Sequence, residues 1–226
     1  MAYKHPDPSG VQLKTLIAVL KRLKRGDVNR VDMNYFHSII YRHQFIVKGK
    51  KWREILQNCY LWVDWQSMPQ PSIVKNQTSH EYEKIREMGS NAIRSIPAYV
   101  QMSDVMLLLC PAALHINRLD SLDSSKSHCT SFRTWRRRGW CVVEFFACYF
   151  SASKSYPPLL IRSSQEVPEF ISTLECLKLA PGLSEFTCCQ RNHIITTETQ
   201  KIMNGGSVKK IPCDKLITGR ILEQLI

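Results

Sequence analysis

The chain has 226 residues, of which 44% are hydrophobic and 22% are charged. These values are typical of one folded domain of ordinary size, or at most two small ones, and they exclude an intrinsically disordered chain. Lysine and arginine outnumber aspartate and glutamate by 31 to 19, which gives a net charge of +12 and favours anionic partners. The sequence contains no RNA-binding aromatic signature and no zinc-finger spacing, which argues against nucleic acid as the partner.

The first part of the chain predicts three helices. The apolar residues that repeat at helical spacing in the first helix are Leu13, Leu16, Ile17, Leu20 and Leu23, with basic residues on the other face. This helix is expected to end near Gly26. A second helix is predicted over residues 32–43, and a third over residues 52–57. The side chains expected to face the core from the second helix are Tyr35, Phe36, Ile39 and Ile40.

A short apolar segment, residues 59–63, is bounded by polar residues and predicts a strand covered on both faces. Asp64 would then lie at the carboxyl end of this strand, at the start of a loop that continues through Trp65. Open α/β sheets place ligand-contacting residues in such loops. The alternative is that Asp64 caps the loop by accepting hydrogen bonds from nearby backbone amides.

Residues 79–95 predict a helix that Pro97 interrupts, so we expect a kink or two consecutive helices. The clearest strand covers residues 104–110 and ends at Pro111. A long polar connection then covers residues 115–138. Segments of this length are either functional, here as a lid, or disordered, and both interpretations stay open.

The segment from Trp140 to Phe150 contains one charged residue, Glu144, in an otherwise apolar or weakly polar run, which predicts a helix buried on most sides. Positions four apart share a helix face, so Trp140 and Glu144 are expected to lie together. An aromatic wall beside a desolvated acid can hold a sugar or a planar ring. The alternative is a structural ion pair between Glu144 and one of the arginines Arg133, Arg136, Arg137 and Arg138.

Residues 158–161 predict a third strand, and residues 167–177 a helix that begins around Pro168. Near the end of the chain, Asp214 is expected to cap a last helix. No basic and apolar leader opens the sequence, and its longest apolar runs are too short for a membrane span.

Nine cysteines, an odd number without a regular framework, predict reduced thiols and a cytoplasmic location. The candidate metal ligands are Cys188, Cys189 and His193, with Cys176 upstream. Adjacent cysteines lack the usual chelating gap of structural zinc sites, so we predict no metal site here.

Four segments, taken together, resemble a known family. In chain order they are Tyr-Leu-Trp-Val-Asp at residues 60–64, Ala92-Ile93, the strand and its flanks at residues 103–111, and Trp-Cys-Val-Val-Glu at residues 140–144. This order is similar to that of TIR domains, whose helix after the fourth strand often begins Trp-Cys-x-x-Glu. The first segment, continuing to residue 70, also resembles the fungal heterokaryon-incompatibility domain. The chain is similar as well to microbial-eukaryote proteins with a His-Pro-Asp-Pro start and an Arg-Gly-Trp-Cys helix start.

The resemblance covers residues 5–163 and implies a flavodoxin-like α/β fold with a mainly parallel sheet of about four strands flanked by helices. It implies a TIR-like domain over residues 5–165, followed by a C-terminal helical extension over residues 166–226. TIR domains begin with a strand, whereas this chain begins almost at the first helix. The first strand is therefore expected to be missing or replaced.

The resemblance also implies a signalling function. In TIR enzymes that hydrolyse NAD, the glutamate of the motif is the catalytic residue, which corresponds to Glu144. The other residues expected around the nucleotide are Trp140, Asp64, Trp65, Pro111, Arg137 and Arg138, the arginines being placed to meet the diphosphate. NAD would be a substrate, and no cofactor is expected. The alternative is a non-catalytic module that self-associates or binds another TIR-like domain and keeps Glu144 as a structural acid.

Overall fold

The computed structural model describes residues 7, 9–69, 79–113, 130–151, 156–190, 192–195, 209–210 and 213–225. The α-helices are α1 (Val11–Arg25), α2 (Tyr35–Ile40), α3 (Gly49–Ile55), α4 (Asp64–Ser67), α5 (Ser79–Arg94), α6 (Ile96–Met102), α7 (Phe132–Trp135), α8 (Gly139–Tyr149), α9 (Thr187–Gln190) and α10 (Asp214–Glu223). The strands are β1 (Arg30–Asp32), β2 (Ile46–Lys48), β3 (Leu107–Leu109), β4 (Leu159–Ile161), β5 (Glu169–Phe170), β6 (Ile194–Ile195) and β7 (Lys209–Lys210). The predicted mixed α/β class is confirmed.

The central sheet has the strand order β3-β4-β5. Strands β3 and β4 are parallel, with Leu108 opposite Leu160, and β5 is antiparallel to β4. Within the described residues the sheet therefore has one parallel pair, where four mainly parallel strands were expected. Two antiparallel pairs, β1 with β2 and β6 with β7, lie outside it.

The core lies on both faces of this sheet. Because successive side chains of a strand point to opposite faces, Leu159 and Ile161 pack with α1, whereas Leu160 packs with Phe145 of α8. All three β4 residues are buried. On its outer side α8 packs against α6 through Ala147 and other buried side chains. Helix α8 is thus buried on most sides, as its sequence predicts.

Several local predictions are confirmed. Helix α1 ends at Gly26, whose φ of 88° is a left-handed conformation that glycine adopts without strain. Pro97 lies in the first turn of α6, directly after the end of α5, so there are two consecutive helices. None of the helices in the described part of the chain combines the length and the apolar character that a membrane span requires.

The predicted strand over residues 59–63 is wrong. This segment forms neither helix nor strand, and Tyr60 is fully exposed. The indole of Trp62, in the same segment, stacks on the ring of Tyr99 of α6, with ring centroids 4.9 Å apart. Short apolar runs do not by themselves specify a strand, because the pairing partner must come from elsewhere in the chain.

The predicted helix over residues 167–177 is also wrong. Its first half contains β5, and the second half is a 3₁₀-helix, Thr173–Lys178. Phe170 is completely buried, edge-on to Phe45 and stacked on Trp52. Burial of this ring and pairing with β4 override the local helical pattern.

The predicted inward face of the second helix is wrong as well. Residues 30–32 form β1, and α2 is a six-residue helix capped by Asn34, whose side-chain oxygen accepts from the His37 amide. His37 is the buried residue of α2, because its Nδ1 accepts from the Ser172 amide. The four side chains expected in the core are 56–70% exposed: Tyr35, Phe36, Ile39 and Ile40.

Candidate active site around Glu144

Glu144, on α8, lies within electrostatic reach of two predicted site residues, Asp64 and Arg138. Burial, the largest cause, and the charge of Asp64 together raise the pKa of the Glu144 carboxyl to about 8, while the Arg138 guanidinium opposes the rise. Protein atoms thus surround the carboxyl, although the Glu144 residue as a whole is partly exposed to solvent. The fold brings these three predicted side chains within electrostatic reach of one another, and two of them, Asp64 and Arg138, are exposed.

Two thiols border this group. Cys141 lies one residue after Trp140 on α8, and Cys110 directly follows β3. Burial raises the pKa of both thiols to about 12, and Arg138 acts on each in the opposite direction. Both thiols are therefore neutral near pH 7 and poor nucleophiles. Because Arg138 acts on Cys110, and Cys110 directly follows β3, the group of Glu144, Asp64 and Arg138 lies at the carboxyl end of β3.

Trp140 precedes Glu144 by one turn of α8, as expected. Its Nε1 donates to Oδ2 of Asp214, at the start of α10, over 3.4 Å. The ring packs against a cluster that includes Val100 of α6, and Met68, just after α4, packs against the same cluster. The indole therefore forms a wall between α6, α8 and α10, on the helix face that carries Glu144.

The two predicted diphosphate arginines have different surroundings. Arg137 forms an ion pair with Glu185, and the Glu185 amide donates to the Arg137 carbonyl oxygen over 2.7 Å. Arg138, in contrast, is exposed and acts electrostatically on Glu144. Among the arginines that were candidates to pair with Glu144, Arg138 is thus its neighbour, whereas Arg136 forms its ion pair with Glu175.

The remaining predicted residues lie on two segments. Asp64 and Trp65 are the first two residues of α4 rather than the end of a strand. Pro111 is buried after β3, and its carbonyl oxygen accepts from the Thr130 hydroxyl. The Thr130 amide also donates to the Ala113 carbonyl oxygen over 2.7 Å. The described residues on either side of positions 114–129 are thus joined, and residues 132–135 of the predicted lid, which covers residues 115–138, form α7. Residues 114–129 lie outside the described part of the chain.

A buried network around Glu175 was not predicted. Glu175 is 4% exposed and accepts from Tyr41 over 2.7 Å and from Lys178 over 3.0 Å, in addition to its pair with Arg136. Burial alone would raise the pKa of Glu175, but these hydrogen bonds hold it below its ordinary value. Burial also lowers the pKa of neighbouring His37. The network joins α2, the segment before α8 and the 3₁₀-helix, which is a structural role.

No local signal marks this network, because Tyr41 lies 134 positions from Glu175 along the chain.

A second unpredicted arrangement involves cysteine. Cys213 joins Cys188, Cys189 and His193 in one cluster of potential metal ligands, whereas Cys176, grouped with them by sequence, is buried in the core with Phe145.

The Glu144 group has a defined chemical capacity. A carboxyl whose pKa is about 8 can exchange a proton near neutral pH, and its ionised form can stabilise positive charge that develops on a substrate. Comparisons of the chain with protein-family models, curated proteins and solved structures found no match. Function is therefore inferred from the site itself.

Proposed function

We propose that the chain is a TIR-like domain that hydrolyses the nicotinamide–ribose bond of NAD, with Glu144 as the catalytic residue. The main support is the position of Glu144 beside Arg138 and Asp64, where Cys110 marks the carboxyl end of β3. Ligands of open α/β sheets bind at this end of the strands. In the proposed flavodoxin-like arrangement, β3 and β4 are two adjacent strands of the parallel sheet.

The reaction requires a carboxylate close to the ribose. When the bond between C1′ and the ring nitrogen breaks, its electron pair leaves with nicotinamide, and positive charge develops on the ribose. A carboxylate near the ribose hydroxyls stabilises this charge. Water then forms a bond to C1′ and releases a proton, so that the products are nicotinamide, ADP-ribose and one proton.

The surrounding side chains support binding of such a nucleotide. Trp140 offers an aromatic wall one turn before Glu144. Arg138 is the exposed cation beside the acid and would contact the diphosphate. Because Arg137 forms an ion pair with Glu185, we assign the diphosphate contact to Arg138 rather than to both arginines.

The test is nicotinamide release from NAD by the purified full chain, at high protein concentration and with a crowding agent. We expect Glu144→Gln to reduce release by about 100-fold or more, because it removes the charge while keeping the shape. The matched control is Glu54→Gln, which changes an exposed acid paired with Lys51. Absence of release by the wild-type chain, or equal release by Glu144→Gln, would refute the proposal.

One observation favours the alternative, a non-catalytic module that self-associates with a second copy of the chain. Helix α2 exposes four large apolar side chains, and residues 35–40 contain no lysine, arginine, aspartate or glutamate. A second copy of this chain, whose net charge is +12, can approach this helix without facing like charges there. Exposed apolar patches of this kind mark interaction surfaces.

Analytical ultracentrifugation tests the alternative. If α2 mediates self-association, the average mass rises with protein concentration, and Phe36→Ser abolishes the rise. The control is Leu183→Ser, at a side chain that is 87% exposed outside α2. A monomer at all concentrations, or equal association of both variants, would contradict this function.

A further inference from the structure

Four potential metal ligands from separate segments meet near the end of the described chain. Cys188, Cys189, His193 and Cys213 each contribute one ligand atom, and these four atoms all lie within 4.8 Å of one another. We propose that they form a structural zinc site. This inference is independent of the function proposed for Glu144.

The distances from the Cys189 sulfur to the other three ligand atoms fit one tetrahedral ion. Zinc–sulfur bonds of about 2.3 Å at tetrahedral angles place two sulfurs about 3.8 Å apart, and a nitrogen about 3.5 Å from a sulfur. The Sγ atom of Cys189 lies 3.9 Å from that of Cys188 and 3.7 Å from that of Cys213. It also lies 3.6 Å from Nε2 of His193. These three distances from the Cys189 sulfur are thus close to those of a tetrahedral zinc complex, so binding of an ion would move these atoms little.

The backbone explains how the adjacent cysteines and the histidine meet. Cys188 and Cys189 lie on α9, and the His193 amide donates to the Cys188 carbonyl oxygen over 2.7 Å. Asn192 and His193 have φ angles of 50° and 59°. These left-handed conformations are unfavourable for a non-glycine residue, and they turn the chain back toward Cys189. A bond from His193 to a metal would offset this cost.

Strand pairing brings in the fourth ligand. Cys213 lies 24 positions after Cys189, but Ile194 pairs with Lys210 in the β6–β7 ladder, which carries the chain back beside His193. Helix α10 begins directly after Cys213. The Asp214 amide donates to Sγ of Cys188 over 3.3 Å, a hydrogen bond that favours a thiolate.

The donor set specifies the ion and its role. Three thiolates and one imidazole suit zinc, and four protein ligands complete a tetrahedron without an open position for substrate. The site is therefore structural rather than catalytic. It would join α9, the β6–β7 pair and α10. Because α9 has four residues and each of the two strands has two, a bound metal would stabilise this part of the fold.

The first experiment measures zinc in the full chain purified with a reducing agent and zinc in the medium. We expect about one zinc ion per chain. Cys213→Ser should reduce zinc affinity by about 100-fold or more. The matched control is Cys59→Ser, an exposed cysteine outside the cluster, which should keep the metal. Equal zinc affinity of the two variants would overturn the proposal.

The second experiment needs no variant, so it remains informative if Cys213→Ser fails to fold. The wild-type chain is stripped of metal under reducing conditions and titrated with Co²⁺ alone. A tetrahedral thiolate complex is expected, with intense visible bands and thiolate charge-transfer absorption that saturate at about one equivalent. Absence of these bands overturns the proposal. So does a freshly purified chain that lacks zinc and in which peptide mapping finds a disulfide between Cys189 and Cys213.

Discussion

Trp140 donates its indole N–H to the carboxylate of Asp214, with Nε1 and Oδ2 3.4 Å apart. Trp140 lies one turn before Glu144 on α8, and Asp214 directly follows Cys213 in the proposed zinc cluster. The candidate active site and the cysteine cluster are therefore connected by one hydrogen bond. Ordering of the start of α10 by a metal would also fix the aromatic wall beside Glu144.

The raised pKa of Glu144 predicts a specific dependence of stability on pH. Between the ordinary carboxyl pKa of 4.5 and the folded-state value of about 8, the folded protein holds a proton that the unfolded chain has lost. This contribution to stability is present below about pH 4.5 and is lost as the pH rises through 8. Glu144→Gln removes this dependence of stability on pH, because glutamine does not ionise. We expect the variant to match the wild type at about pH 4 and to be more stable by about 2 kcal/mol at about pH 9, less than full burial would give because Glu144 is half-buried.

Urea unfolding of both proteins at several pH values measures this difference. Glu54→Gln, which alters an exposed ion pair, should follow the wild type. Parallel stability curves for Glu144→Gln and the wild type would contradict the prediction.

The pH profile of NAD hydrolysis should report the same carboxyl. If the ionised form of Glu144 acts in catalysis, kcat/KM rises with pH and levels off above about 8. Asp64 raises the pKa of Glu144 and Arg138 lowers it. Asp64→Asn should therefore shift the rising limb to lower pH, and Arg138→Gln should shift it to higher pH. Shifts of both variants in the same direction would contradict the assignment.

Loss of the Glu175 charge should destabilise the fold. Glu175→Gln leaves Arg136 and Lys178 without their shared buried partner, and we expect a loss of about 2 kcal/mol in the free energy of unfolding. Since the pKa of Glu175 is below its ordinary value, the wild type loses this contribution as the pH falls below the ordinary carboxyl range, and the two proteins converge in acid. Urea unfolding at neutral and acidic pH measures both effects. A change no larger than that of Glu54→Gln would contradict the structural role.

Two glycine substitutions should change stability in opposite directions. A Cβ at position 139 would overlap the ring of Phe186, which packs against the start of α8. Gly139→Ala should therefore cost about 2 kcal/mol. Gly219 lies within α10 and has open space around its Cα, so Gly219→Ala should stabilise the protein by about 0.5–1 kcal/mol. Thermal unfolding of both variants measures the contrast, and a stabilising Gly139→Ala would be inconsistent with this packing.

Features with a strong local pattern could be predicted from the sequence. The apolar run around Glu144 predicted α8, and the apolar runs at residues 104–110 and 158–161 predicted β3 and β4. The predicted strand at residues 59–63 and the predicted helix at residues 167–177 were wrong for a common reason. Their patterns fit more than one local structure, and contacts with Tyr99 in one case and with Phe45 and Trp52 in the other decided between them.

The sequence by itself determined the helix that carries Trp140 and Glu144, because a period of 3.6 residues places positions four apart on one face. Only the tertiary structure decided which arginine lies beside Glu144, since Arg137 and Arg138 are adjacent and equally basic, and Glu185 selects the first. The same holds for Cys213, which reaches Cys189 across 24 positions of chain. Periodicity reports which face of an element is apolar, whereas the identity of a distant partner depends on how the elements pack.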